Sequence, residues 1–287
     1  MTTTRNDFRF LDRLRVRWAE VDMQQIVFNG HYLMYIDTAV GGYWRAVALP
    51  YQEVMQRVGG DLFVRKSTLE YFASAGYDDV LDVGVRCERI GNSSMLFQTG
   101  VFRGEELLVS GELIYVFADP VAKQAKPVPP ELRSTLLGFE AGEDMVSVRV
   151  GGWEELGHEA GAIRAEVFID EQKIPAEMEW DSADASCVHA VAYNRLGMAV
   201  GTGRLLEHVP GVAKIGRMAV RRALRGSRVG RSVLDALMQA ARDHGDREVI
   251  LHAQMSAEPF YRRAGFNQRG PVFDEAGIAH VEMVRSL

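Results

Sequence analysis

The spacing of apolar residues changes along the chain, and it predicts which segments are strands and which are helices. From residue 80 to residue 88, apolar and polar positions alternate strictly, which is typical of a strand. From Tyr32 to Val47, apolar residues recur at intervals of three and four, which predicts a helix with one apolar face. The first half is therefore expected to be an antiparallel sheet around one long helix. Its strand-like runs are 8–18, 61–73, 80–90, 93–104 and 106–118.

The second half alternates strands with helices, which indicates an α/β fold with a mixed central sheet. Helical spacing extends from Trp153 to Gln172 and again from Val229 to His244, and a shorter helix is predicted over 258–264. The predicted strands are 146–150, 188–194, 198–207, 213–220, 248–253 and 279–285.

A proline-rich joint separates the two halves. Four prolines between residues 119 and 145 interrupt regular hydrogen-bond ladders, at positions 120, 127, 129 and 130. The length of 287 residues also suits two domains better than one. We therefore expect one domain over residues 1–140 and a second over residues 146–287.

Charge and composition narrow the possible functions. A formal net charge of −6 disfavours a general nucleic-acid binder. No apolar run approaches the roughly 20 residues that a membrane-spanning helix needs, and the N-terminus lacks the apolar core of a signal peptide. The two cysteines, Cys87 and Cys187, are not spaced as metal ligands. We expect a cytoplasmic protein with no metal and with no nucleic-acid or membrane partner.

One carboxylate precedes the long helix of the first half. Asp22 is followed by an apolar triplet and then by Asn29, Gly30 and His31 at the predicted helix start. The free amides and the dipole of a helix start favour a developing oxyanion, and a nearby carboxylate can attack a thioester carbonyl or activate water. The alternative is that Asp22 stabilises a turn and that Asn29 or His31 caps the helix.

The segment RVRWAEVDMQQIVFNGHYLMYIDTAV resembles the N-terminal signature of the 4-hydroxybenzoyl-CoA thioesterase family, and the similarity covers about residues 10–120. It implies an α+β hot-dog domain that hydrolyses acyl-CoA, with Asp22 as nucleophile or general base. It also implies a homodimer or homotetramer, because hot-dog sites usually form between subunits. Asn29, His31 and Tyr32 would support the site, although Asn29 and His31 stand in the opposite order to the family's His and Asn.

A basic turn opens the long helix of the second half. A predicted strand ends at Val220, and arginines follow at positions 221, 222, 225, 228 and 231. The amides of such a turn and the helix dipole can hold a pyrophosphate, and arginines add charge-assisted hydrogen bonds. The spacing is neither that of a P-loop nor that of a dinucleotide-binding glycine turn. The alternative is an ordinary loop beside a solvated basic helix face.

This turn resembles motif A of the GNAT superfamily of N-acyltransferases, and AQMSAEPFYRRAGF resembles that superfamily's CoA-contacting strand and helix. The similarity covers about residues 146–287. It implies acetyl-CoA or another acyl-CoA as substrate, no tightly bound cofactor, and an acceptor amine on a small molecule or peptide. Arg228 stands where the motif has glycine, which requires that this position avoid positive φ. The residues expected to contact CoA are Met218, Ala219, Val220, Arg225, Gly226, Ser227, Arg228, Val229, Gly230 and Arg231.

The same resemblance implies that Tyr261 gives a proton to the departing CoA thiolate, the alternative being an aromatic side chain packed beside Phe260. The sequence does not single out a general base, and a water relay is an alternative to a side chain. The candidate bases are Glu166, Glu171, Glu179, Asp181, His189 and His252.

The two resemblances together predict a bifunctional enzyme that hydrolyses acyl-CoA in its first half and transfers an acyl group to an amine in its second. Two alternatives stay open. In one, the hot-dog half is a silent dimerisation and acyl-binding module that regulates the acetyltransferase. In the other, the second half is a CoA sensor without catalysis.

Overall fold

The chain folds as two compact units, Met1–Met145 and Val146–Leu287. The computed structural model describes residues 3–275 and 277–287. No helix in this described part of the chain is long and apolar enough to cross a membrane.

The first unit is an antiparallel five-stranded sheet with the order β1-β3-β4-β5-β2. The predicted antiparallel sheet and long helix are confirmed, and the helix α2 was not predicted. The strands are β1 (Phe10–Arg15), β2 (Asp61–Tyr71), β3 (Val80–Ile90), β4 (Ser94–Arg103) and β5 (Glu106–Ala118). The helices are α1 (Asn29–Ala46), α2 (Tyr51–Arg57) and α3 (Pro130–Glu140).

The long helix α1 buries the face that its apolar spacing predicts. Tyr32, Ile36, Ala39 and Tyr43 are all buried. Gly42 permits close contact with β1, because a Cβ there would come within 2.7 Å of the Phe10 ring. The helix therefore packs on the sheet through both large side chains and one missing side chain.

The strand β3 differs from the simple alternation in one respect, because both of its faces are covered. Asp82 on the second face is buried beneath Arg5 and Arg13, with contacts of 3.0 and 2.9 Å. Gly84 lies under the ring of Phe8. The N-terminal segment thus shields a face that its polar residues predicted to be open to water.

The second unit is a seven-stranded mixed sheet with the order β11-β12-β10-β9-β8-β7-β6, in which only β9 and β10 run parallel. The predicted mixed sheet is confirmed. The strands are β6 (Val146–Gly151), β7 (Val188–Asn194), β8 (Ala199–Val209), β9 (Val212–Val220), β10 (Glu248–Gln254), β11 (Asn267–Glu275) and β12 (Ile278–Ser286). The helices are α4 (Trp153–Arg164), α5 (Ala176–Glu179), α6 (Val229–His244) and α7 (Glu258–Arg263).

The helical segment predicted over Trp153–Gln172 is confirmed, but it is α-helical as far as Arg164 and π-helical over Ala165–Glu171. The strand β11 was not predicted, because Gly270 and Pro271 interrupt it and nearly all of its residues are exposed. A solvated edge strand of this kind carries no apolar alternation to recognise.

Helices cover both faces of the second sheet. On one face, α6 lies close to β8, because a Cβ on Gly201 or Gly203 would come within 2.8 Å of α6 side chains. On the other face, α4 and the π-helical segment share an apolar core with β7 and β9 that includes Leu156, Phe168 and Ala219.

A buried arginine holds the segment after α5 to α4. Arg164 is 1% exposed, donates to Glu179 and Asp184 at 2.6 and 2.7 Å, and lies 4.9 Å from the Trp180 ring. Asp184 also accepts from Arg204 at 2.7 Å. Removing one member of such a buried network leaves charges that water does not reach.

We expect Arg164→Met to lower the free energy of unfolding of the second unit by about 3–5 kcal/mol, because Glu179 and Asp184 lose a buried counterion. Urea unfolding followed by tryptophan fluorescence measures the change. The control is Arg149→Met, which breaks the exposed pair with Glu155 and should cost no more than about 1 kcal/mol. Equal costs for the two variants would contradict a structural role for the network.

Candidate functional site

A cavity of about 480 Å³ opens where two neighbouring strands of the second unit separate. The parallel strands β9 and β10 pair from Val212 and Glu248 to Ile215 and Leu251, and no pair follows although both strands continue. The backbone of residues 216–220 therefore faces β10 without strand partners there. Unpaired backbone groups of this kind are ready to bind an extended amide-containing chain.

A β-bulge shapes the wall of this cavity. The register of β8 and β9 shifts where Arg217 and Met218 together oppose the single residue Gly203. Arg217 has a φ of 51°, a conformation that costs a non-glycine residue strain. Its guanidinium donates to the backbone oxygen of Glu179 at 3.1 Å and lies 3.3 Å from the Glu179 carboxylate. The segment after α5 therefore anchors the bulge.

The loop before α6 exposes amides beyond the end of β9. Arg228 has a φ of 70°, so the requirement that this position avoid positive φ is not met. The arginine takes the left-handed conformation that glycine adopts without strain. As the N-cap of α6 it makes no side-chain cap, which leaves the first amides of the helix, at Val229, Gly230 and Arg231, without intrahelical acceptors.

Three of the five arginines in this region are already paired with carboxylates. Arg225 binds Glu171 with both ends of its guanidinium, at 2.7 and 2.6 Å, and this contact holds the pKa of Glu171 below its ordinary value. Arg221 lies 3.1 Å from Glu166. Glu166 and Glu171 both come from the π-helical segment. The third pair joins Arg231 to Asp235.

Free positive charge in the loop is thus smaller than the sequence indicates. Within residues 3–275 and 277–287, only Arg222 and Arg228 of the five have no carboxylate within 4.0 Å. Gly226 and Ser227 lie between them, and Gly226 also has positive φ, 88°.

Tyr261 lies on α7 and lines the same cavity as Gly216 and Met218. Its side chain is buried, and its ring makes edge contacts with Phe260 at 4.9 Å and with Phe266 at 6.0 Å. Burial raises the pKa of Tyr261 well above the ordinary tyrosine value. The ring contacts are therefore compatible both with a packed aromatic residue and with a proton donor. Only the role of proton donor gives a reason for Tyr261 to line the cavity.

The cavity separates the six candidate bases into two groups. Glu179, Asp181 and His252 line it, whereas Glu166, Glu171 and His189 do not. Glu166 and Glu171 hold arginines of the α6 loop, and the buried His189 contacts the backbone oxygen of Asp184 at 2.9 Å.

Of the three bases in the cavity, two are committed to ion pairs. Glu179 binds Arg164, and Asp181 binds Arg204 at 2.8 Å. His252 is the remaining candidate, and its Nδ1 lies 3.3 Å from Glu275.

In the first unit, Asp22 lies in a tight loop that a bridge between Val21 and Val27 closes. The Oδ1 atom of Asp22 accepts from the amide of Gln24 at 2.8 Å, so the carboxylate does stabilise a turn. The other carboxylate oxygen has no partner within the described part of the chain. The turn role therefore leaves one oxygen available for chemistry.

The start of α1 lies two residues after this bridge, and it has no side-chain cap. The N-cap is Phe28, so the interpretation of Asn29 or His31 as the cap is wrong. The Phe28 ring instead folds over Gly30, where a Cβ would come within 2.9 Å of it. Asn29 is exposed, and the His31 ring packs edge-on against Phe28 at 5.9 Å.

Tyr32 is buried in the core of the first unit. Its hydroxyl accepts from the amide of Ala75 at 2.9 Å and thereby ties the loop after β2 to α1. Sequence reasoning missed Glu20, a buried carboxylate that accepts from the Tyr35 hydroxyl at 2.7 Å and from Arg17. Burial opposes ionisation of Glu20, but these hydrogen bonds outweigh it and keep its pKa below the ordinary value. The only sequence feature that pointed to a buried polar partner such as Glu20 was a second tyrosine, Tyr35, three residues after Tyr32 on the same helix face.

Metal binding has no support in the described residues, because no group of three or more His, Cys, Asp or Glu side chains there can hold an ion.

Comparison with known families assigns the two units separately. Residues 154–287 match the acetyltransferase (GNAT) domain, and residues 24–110 match the thioesterase superfamily. The N-acetyltransferase YjcF of Bacillus subtilis is 37% identical over 133 residues, which is 46% of this chain and 94% of the relative. The chain therefore belongs to the GNAT family through its second unit, and its first unit carries a hot-dog domain of the thioesterase superfamily.

Two solved structures illustrate the two halves. An acyl-CoA N-acyltransferase from Pseudomonas aeruginosa is 31% identical and covers 49% of this chain and 99% of its own, with a TM-score of 0.45. A 1,4-dihydroxy-2-naphthoyl-CoA thioesterase from Synechocystis is 16% identical and covers 45% of this chain and 95% of its own, with a TM-score of 0.42.

Proposed function

We propose that the chain is a bifunctional enzyme that hydrolyses acyl-CoA in its first unit and transfers an acetyl or acyl group from CoA to an amine in its second. The observation that most supports transferase activity is the separation of β9 from β10 beside Tyr261. The GNAT family to which the second unit belongs uses acetyl-CoA as substrate.

In this proposal the pantetheine arm lies along β9. Backbone groups of Met218, Ala219 and Val220 that have no partner on β10 hydrogen-bond to its amides, which are spaced along an extended chain. The pyrophosphate then meets the free amides of Val229, Gly230 and Arg231, where the dipole of α6 adds attraction. Arg228 is free to add a charge-assisted hydrogen bond, and Arg225 shapes the loop through Glu171.

The transfer step uses the two side chains that the cavity brings together. His252 takes the proton from the acceptor ammonium, and the amine nitrogen forms a bond to the thioester carbon. The carbon–sulfur bond then breaks, and Tyr261 donates its hydroxyl proton to the CoA sulfur. The attacking nitrogen loses its remaining extra proton to solvent, and the Tyr261 phenolate takes a proton back from solvent. Burial raises the pKa of Tyr261, so the hydroxyl carries its proton before the thiolate forms, and the developing thiolate must lie beside it for the proton to move.

Hydrolysis in the first unit relies on Asp22 and the start of α1. The free oxygen of Asp22 activates water or attacks the thioester carbonyl, and the uncapped amides of α1 stabilise the oxyanion. The carbon–sulfur bond then breaks, and CoA leaves as a thiolate that takes a proton from solvent. On the nucleophilic route, water hydrolyses the acyl–Asp22 anhydride in a second step. Asn29 and His31 border that helix start, and Tyr32 fixes the loop behind it. The swapped order places the exposed Asn29 and the half-buried His31 at this helix start, and the proposal relies on the Asp22 carboxylate and the α1 amides rather than on their order.

We also propose that the first unit forms a homodimer through β2. This strand has 11 residues, lies at an edge of the sheet and exposes most of its side chains. Phe63, Val64, Tyr71 and Phe72 are exposed along it and just beyond it. A long edge with exposed apolar side chains is a template for pairing with a second copy.

We expect Tyr261→Phe to lower kcat for acetyl transfer by about 100-fold or more while KM for acetyl-CoA changes little, because the ring stays and only the proton donor is lost. Amine-dependent thiol release, with the amine-free rate subtracted, measures both constants. The control is Tyr193→Phe, which removes a hydroxyl of β7 outside the cavity and should leave kcat unchanged. An unaltered kcat in Tyr261→Phe would remove this residue from the mechanism.

We expect Asp22→Asn to lower amine-independent thiol release from acyl-CoAs by about 100-fold or more. The amide keeps an oxygen for the Gln24 amide, so the turn persists. Asp119→Asn is the matched control, since Asp119 holds a turn through the amides of Val121 and Ala122. Full hydrolysis by Asp22→Asn would contradict the assignment, and tight acyl-CoA binding without turnover by the wild-type chain would favour the silent dimerisation module.

We expect light scattering to give at least twice the mass of one chain, and Val64→Lys to shift the protein toward single chains. The reason is that Val64 is 55% exposed on the β2 edge, where a charge would oppose pairing. Val121→Lys, at a loop residue that is 90% exposed, should leave the mass unchanged. A single-chain mass for the wild-type protein would contradict the dimer.

A further inference from the structure

One lysine in the cavity of the second unit makes no direct ion pair in the described part of the chain, although Glu275 and Glu282 act on it from beyond 4.0 Å. Lys214 on β9 is half-buried and lines the cavity, and burial lowers its pKa. Its Nζ atom lies 3.4 Å from the ring of His252, and no carboxylate lies within 4.0 Å in the described part of the chain. A desolvated ammonium without a partner is costly unless a ligand supplies one.

The other strong cations of the cavity already have partners. Arg204 binds Asp181 and Asp184 at 2.8 and 2.7 Å, and Arg217 is engaged with Glu179. An anion that enters the cavity would have to displace these buried pairs to reach either arginine. An anion can bind Lys214 without displacing a buried ion pair.

The acids that face Lys214 are also accounted for. Glu275 on β11 lies 3.3 Å from the Nδ1 atom of His252, and Glu282 on β12 binds Arg269 at 2.6 Å. Two further histidines, His208 and His280, line the same region, and His280 contacts the backbone oxygen of Ile278. The region therefore combines one lysine that makes no direct ion pair with two acids that already contact His252 and Arg269, which suits a single added negative charge.

Lys214 lies beyond the reacting end of the proposed CoA site. It precedes Met218 by four residues on β9, which is roughly 13 Å of extended strand. The α6 loop, where the phosphates would bind, follows the opposite end of the strand at Val220. An anion bound by Lys214 would therefore belong to the acceptor and not to CoA.

We propose that the acceptor is an amine that also carries a carboxylate, and that Lys214 binds this carboxylate while His252 faces the amine. The proposal rests on the transferase function of the second unit. It narrows the acceptor from amines in general to amino acids and related compounds, since the spacing of Lys214 and His252 places the two groups a few bonds apart. Lys214 is then a specificity-determining residue.

The test compares matched probes that differ only in the carboxylate. The pairs are β-alanine with ethylamine, 4-aminobutyrate with propylamine and 5-aminovalerate with butylamine, each assayed for acetyl transfer and for binding by calorimetry with acetyl-CoA-saturated protein. We expect the best carboxylated probe to exceed its alkylamine in kcat/KM by more than about 10-fold. Lys214→Met should lower kcat/KM for that probe by about 30-fold more than it lowers kcat/KM for the matched alkylamine.

The control variant is Lys123→Met, an exposed lysine of the first unit, which should change neither series. Equal use of both series by the wild-type protein, or an equal loss in both series for Lys214→Met, would overturn the carboxylate subsite. Carboxylate-selective binding that depends on Lys214 without any transfer would keep the subsite and contradict the transferase. Transfer to alkylamines without a preference for carboxylated probes would support the transferase and contradict the subsite.

Discussion

The separation of β9 from β10 is the constraint on which the site of the second unit depends. A parallel pair that continued beyond Ile215 and Leu251 would satisfy its own backbone groups and close the cavity. Because the pair ends there, residues 216–220 of β9 have no partner on β10, next to a space that Tyr261 and His252 also line. The opening thus creates an unpaired strand edge and a cavity together.

The geometry of this opening is held by buried charge. The strained bulge residue Arg217 is fixed by Glu179, and Glu179 is fixed in turn by Arg164 beneath Trp180. Positive φ at a non-glycine residue persists only where the surroundings determine it, and this network provides those surroundings. The π-helical segment adds a second support, because its carboxylates hold Arg221 and Arg225 in the α6 loop.

Strong local patterns were enough to predict most of the fold. The helix Val229–His244 has the bounds that its spacing predicts, and the strands with alternating apolar residues lie within a few residues of their predicted positions. The edge strand β11 could not be predicted, since packing does not constrain its exposed residues. The change to π-helix at Ala165 keeps apolar residues facing the sheet and so leaves no trace in the spacing.

The candidate site was less predictable, because its contacts join distant residues. From the sequence, the arginines after Val220 are expected to carry free positive charge. In the fold, Arg225 is bound by Glu171, which lies 54 residues earlier in the chain. The lack of an ion pair at Lys214 likewise depends on where β11 and β12 place Glu275 and Glu282. The left-handed conformation of Arg228 follows from the turn rather than from the preference of the residue.

The central claim is that CoA thioesters enter the opening beside β9 and also reach Asp22, so that each chain has two sites. Crystals soaked with acyl-CoA test this most directly. The account predicts one molecule along residues 216–220 with its pyrophosphate at the amides of Val229–Arg231, and a second molecule with its thioester beside Asp22 and the start of α1. An unfilled opening at saturating acyl-CoA, or phosphates bound away from the α6 loop, would contradict it.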